Sequence, residues 1–221
     1  MSRVDVLSDA QFHSLKPILL KLNIEAKDFF TQFTSLLYFY HEASHFIQQY
    51  NEYDKKLPFP DEQKQQINIS IKLLREFDAD WYGAAHSVVN VGERTENKNE
   101  FIELSIMAFA SFFLFWVERS AINDSDILSK DKEHPHPLIR LCTWIMSLTL
   151  TAKDVFGYQI DAKRLLNSAL DIATLLENRN ENSKSLQMQK IIESKYQEIL
   201  DYVLLIQENS IHYPYLANNS R

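Results

Sequence analysis

The string His41-Glu42-Ala43-Ser44-His45 places two imidazoles four residues apart, with a carboxylate next to the first. On a helix, residues at i and i+4 share a face one turn apart, so both rings reach one spot while Glu42 stands beside them. Two such nitrogens can hold one zinc ion, and a carboxylate left outside the ligand set can take a proton from a water activated by the metal. Two ligands alone make a weak site. A second string, Glu76-Phe77-Asp78-Ala79-Asp80, repeats the spacing with acids at i and i+4. Glu76 would complete the set as third zinc ligand. Asp80, one turn on, would accept the free N–H of a ligating imidazole and so fix its tautomer. Three protein ligands with one open position is the catalytic rather than the structural zinc pattern.

Two helices are needed to present these strings. From Asp28 to Tyr50, the positions Phe29, Phe33, Leu36, Leu37, Tyr40, Ser44 and Ile47 recur at helical spacing. After a breaker from Lys55 to Asp61, Pro60 is placed to open a second helix running to about Val88. Its apolar stripe is Ile71, Leu74, Phe77, Trp81 and Val88, and Glu76 and Asp80 lie in the adjacent row. Residues Leu104 to Val117 carry no charge and predict a helix, ending near Arg119, buried beneath the two motif helices. At 14 residues the run is shorter than the roughly 20 that span a bilayer. Further helices are expected from Pro137 to just before Gly157, from Asp161 to about Glu177, and from about Leu186 to Gln207.

The pattern predicts an all-α single domain over 1–221, of about six helices, with a catalytic core at about 28–150 and a C-terminal helical extension at about 158–208. Val88 to Val91 is the one candidate for a small strand. Only 3 glycines among 221 residues argue against hairpin-rich β folds and glycine-cradled phosphate sites. A net charge of -7 speaks against nucleic acid as a partner. A single cysteine, Cys142, excludes an internal disulfide and a thiolate zinc site, and suits a reducing compartment. The opening MSRVDVLSDAQFHS lacks the apolar stretch of a signal peptide, so a cytoplasmic location with no membrane span is expected.

The paired strings resemble the HExxH plus ExxxD gluzincin metallopeptidases of the HtpX and CAAX-prenyl-peptidase type, whose second motif reads much like the EFDAD of Glu76 to Asp80. Members of that group carry an HPxxxxR string after the second motif, and His134-Pro135-His136-Pro137-Leu138-Ile139-Arg140 has that form. The resemblance covers about residues 30 to 145 and is specific in these three short strings. A looser likeness is to the soluble Lit-type phage-exclusion peptidases. The resemblance implies a peptidase with one zinc per chain, acting on a protein or peptide substrate, and the lack of an apolar run long enough to span a bilayer makes a soluble offshoot the expectation. His41, His45 and Glu76 would be its metal ligands and Glu42 its general base, and Arg140 or a histidine of the HPHP string would stabilise the oxyanion. The rival expectations are a zinc-binding regulatory or scaffold module without proteolysis, a membrane-associated HtpX-like peptidase, and a helical interaction protein without metal.

Overall fold

The computed structural model describes residues 26–50, 69–119, 127–129, 133–177 and 183–210. Within them lie six helices and no strand: α1 (Ala26–Tyr50), α2 (Ile71–Gly92), α3 (Lys98–Arg119), α4 (Pro137–Phe156), α5 (Ala162–Leu176) and α6 (Lys184–Asn209). The all-α expectation holds. Val88 to Val91, the strand candidate, belongs to α2. Its β-branched residues fit a helix there because Val88 and Val91 are buried against neighbouring helices, and packing outweighs the small propensity cost.

The buried stripe of α1 runs Phe33, Leu37, His41, Ser44, Gln48, at steps of three and four, and changes from apolar to polar halfway along. That change is the first sign of a site. Opposite it lies α2, which packs most extensively on α1 and then on α4, so it is covered on more than one face. Burial of Leu73, Leu74 and Phe77 together with Asp80, Gly83, Ala84 and Val88 follows from that double cover. The Pro60 start expected for this helix lies outside the described residues. Ser70 is extended, at φ -61° and ψ 134°, and α2 opens after it at Ile71.

Helix α3 is apolar on nearly every described face, with Phe101, Leu104, Met107, Phe109, Phe113 and Val117 all buried. It packs chiefly on α5 and α4 rather than beneath the two motif helices, which it touches less. Phe109 nevertheless links it to both sides of the core, edge-on to Phe33 at 5.5 Å and stacked with Trp144 at 6.0 Å. Helix α4 starts with Pro137 at its first position, where a missing N–H costs nothing, and ends at Gly157, whose φ of 70° suits glycine. Helices α5 and α6 close the bundle with Leu165, Leu166, Leu170, Ile192, Ile199 and Val203.

Candidate metal centre

Helix α1 delivers His41 and His45, helix α2 delivers Glu76 and Asp80, and the start of α4 delivers Arg140. The two histidine Nε2 atoms lie 3.2 Å apart. Glu76 Oε1 is 3.2 Å from His45 Nε2, and its Oε2 is 3.6 Å from His41 Nε2. One ligand atom from each of these residues falls within 4.8 Å of the others, so His41, His45 and Glu76 can hold a metal ion.

The far side of each ring fixes where its lone pair points. His41 Nδ1 lies 3.1 Å from Asp80 Oδ1, an acceptor that holds the proton on Nδ1 and leaves the Nε2 lone pair free. His45 Nδ1 lies 3.0 Å from Gln48 Oε1. Gln48 in turn donates through Nε2 to the Arg75 carbonyl at 2.9 Å, which orients its oxygen toward the imidazole. Both rings therefore aim Nε2 at one point. Lone pairs 3.2 Å apart repel unless a cation or a proton lies between them.

Arg140 is buried, with 2% of its side chain exposed, and its two prongs are divided between the acids. Nη1 donates to Asp80 Oδ1 at 2.7 Å and Nη2 to Glu76 Oε2 at 2.7 Å. Burial raises the pKa of Glu76. The hydrogen bond from His45 and the charges of Arg140 and His41, with a hydrogen bond from His134, outweigh burial and hold the carboxyl well below the usual range. The same Glu76 hydrogen bond is the main reason the His45 pKa lies above its ordinary value, against burial, which lowers it.

The sequence placed His134 and Arg140 together as candidates facing the substrate, and in the structure both reach Glu76 Oε2, one from solvent and one from the interior. Arg140 is enclosed, and its guanidinium is turned toward two carboxylates, Glu76 and Asp80. His134 is 67% exposed, and its Nδ1 lies 3.1 Å from Glu76 Oε2, at the solvent edge of the cluster. His136 serves as the N-cap of α4, its Nδ1 accepting from the Leu138 N–H at 3.2 Å. Glu133 pairs with Lys72 on α2, which ties the chain just before α4 to the motif helix. Glu42 is exposed on α1. Tyr38, one turn before it, meets the Glu42 carboxylate, whose charge and hydrogen bond raise the phenol pKa.

Gln48 is the residue the sequence reading passed over. Its signal was its place on the polar half of the α1 stripe, three residues beyond His45 and four beyond Ser44. Compared with protein-family models, curated proteins and solved structures, the chain matches none, so only the cluster's own geometry speaks for its chemistry.

Proposed function

We propose that this chain is a cytoplasmic zinc-dependent peptidase that hydrolyses peptide bonds in a protein or peptide substrate. The observation that carries the reading is the convergence of two oriented imidazole lone pairs and one ionised carboxylate at a single point. A tetrahedral zinc with ligand bonds of about 2.0–2.1 Å separates neighbouring ligand atoms by about 3.3–3.4 Å. The separations of 3.2 Å between the two Nε2 atoms and 3.2 Å from His45 Nε2 to Glu76 Oε1 lie close to that spacing, and His41 Nε2 lies 3.6 Å from the other Glu76 oxygen. A set of two nitrogens and one oxygen suits zinc, whereas calcium and magnesium favour shells made wholly of oxygen.

When bound, zinc supplies a Lewis acid that polarises a carbonyl oxygen and acidifies water. Glu42, exposed and adjacent in sequence to His41, takes the proton of the attacking water and passes it to the leaving amine. His134, exposed at the edge of the cluster, donates to the oxygen that gains charge as the carbonyl is attacked. Asp80 and Gln48 keep the two imidazoles in the tautomer that leaves Nε2 unprotonated. Cys142 takes no part: burial pushes its thiol pKa up to about 12, so it stays a neutral core group.

The test is Glu42→Gln, whose amide cannot accept the proton. Zinc content and fold should be unchanged, while cleavage of a mixed peptide library should fall by about 100-fold to 10,000-fold. Equal cleavage by both proteins would remove Glu42 from the reaction. Zinc retained by a wild-type protein that cleaves nothing would instead favour a metal-binding module without proteolysis.

A further inference from the structure

We infer that Arg140 is a positioning residue that makes Glu76 a one-oxygen ligand and so keeps one position on the metal open. The inference rests on the metal site proposed above and adds what sets its coordination number. A glutamate can bind a metal through one oxygen or through both, and nothing in His41, His45 or Glu76 alone decides between them. Three features of Arg140 do.

First, the two Glu76 oxygens have different surroundings. Oε1 faces His45 Nε2 at 3.2 Å, whereas Oε2, 3.6 Å from His41 Nε2, accepts from Arg140 Nη2 at 2.7 Å and lies 3.1 Å from His134 Nδ1. A carboxylate oxygen held by a short charge-assisted hydrogen bond is not free to swing onto the metal as a second donor. Second, the guanidinium is itself immobilised. Its other prong donates to Asp80 Oδ1 at 2.7 Å, the same oxygen that faces His41 Nδ1 at 3.1 Å. One rigid planar fork therefore sets Glu76 and the partner of His41 relative to each other, which a lysine, with its single flexible ammonium, could not do. Third, the fork comes from the first turn of α4. That turn is fixed by Pro137, by the His136 cap and by the Arg140 N–H bond to the His136 carbonyl at 3.0 Å.

A cation so close to a metal centre also repels the metal. Removing Arg140 would thus both relieve repulsion and loosen Glu76, two effects of opposite sign on affinity. Coordination number separates them, because only the grip on Oε2 changes it.

Cobalt(II) in place of zinc reports that number through its visible absorption, which is strong for four-coordinate sites and weaker for five-coordinate ones. Wild-type protein with one cobalt per chain should give the strong band. Arg140→Gln and Arg140→Lys, loaded to the same stoichiometry, should give a severalfold weaker band as Glu76 binds through both oxygens. A wild-type band retained in both variants would overturn the inference. Should neither variant fold, a crystal structure of the wild-type zinc protein decides alone: one Glu76 oxygen on zinc and the other on Arg140 supports it, and both oxygens on zinc overturns it. Failure of the wild-type protein to take up cobalt or zinc is a separate result, which refutes the metal site itself and the inference with it.

Discussion

Gln48 connects His45 to the backbone of the opposing motif helix, accepting from the ring on one side and donating to the Arg75 carbonyl on the other. Replacing it with leucine keeps the volume but removes both bonds. Gln48→Leu should therefore lower zinc affinity by about 10-fold to 100-fold, the usual effect of losing a partner that orients a ligand. Competition titration against a chromophoric chelator measures this, and unchanged affinity would show that His45 is oriented by other means. Affinity should also depend on pH in a defined direction. Without metal, the bond to Glu76 raises the His45 pKa above its ordinary value, so below that pKa zinc must displace a proton. Glu76, held well below the usual carboxylate range, contributes no proton there. Apparent affinity should thus rise by about tenfold per pH unit below the His45 pKa and level off above it, whereas a flat profile across that range would contradict a protonated His45. His41, His45 and Glu76 were legible in the sequence because helical spacing alone puts each pair on one face. The position of Arg140 was not. Its partners lie 60 and 64 residues away, and only the packing of α4 on α2 shows that it grips acids rather than faces solvent.

At the scale of the elements, the site depends on how closely α1 and α2 approach. Gly83 is the contact that permits it: a Cβ there would come within 2.9 Å of the Leu37 carbonyl oxygen and 3.3 Å of the His41 backbone nitrogen. Both are backbone atoms of α1 and cannot rotate away. Alanine normally gains about 1 kcal/mol over glycine inside a helix, but overpacking costs about 1–3 kcal/mol, and a backbone clash puts the cost toward the upper end. Gly83→Ala should therefore lower the melting temperature and weaken zinc binding together, because separating the helices draws His41 away from Asp80 and Glu76. Thermal denaturation with and without zinc checks both. A higher melting temperature with full zinc affinity would show that α1 and α2 have slack at this point. The helix ends at Arg119 and near Gly157 were readable from a charge boundary and from a glycine whose positive φ ends the helix. Val88 to Val91 was not, since β-branched residues signal strand locally and only the burial of α2 on two sides makes them helical.

Across the whole molecule, the apolar residues of α3, α4, α5 and α6 form a core against which the polar half of the α1–α2 pair is held. Among the described residues no helix is long and apolar enough to cross a membrane, and the described side chains of the uncharged run in α3, such as Leu104, Phe109, Phe113 and Val117, are spent on internal packing. Trp144 and Arg140, the two largest fully buried side chains among the described residues, lie one turn apart on α4. A single helix thus anchors the core through one and the acids of the site through the other. Because the donors come from α1 and α2, and α4 grips Glu76 through Arg140, metal bound only to the folded chain should stabilise the bundle. The most direct measurement is the zinc content of protein purified without added metal, followed by melting of the stripped and zinc-restored forms. The predicted result is one zinc per chain, absent from Glu76→Ala, with a higher melting temperature when zinc is restored; a wild-type protein that holds no zinc and melts at the same temperature with or without it would contradict the metal centre.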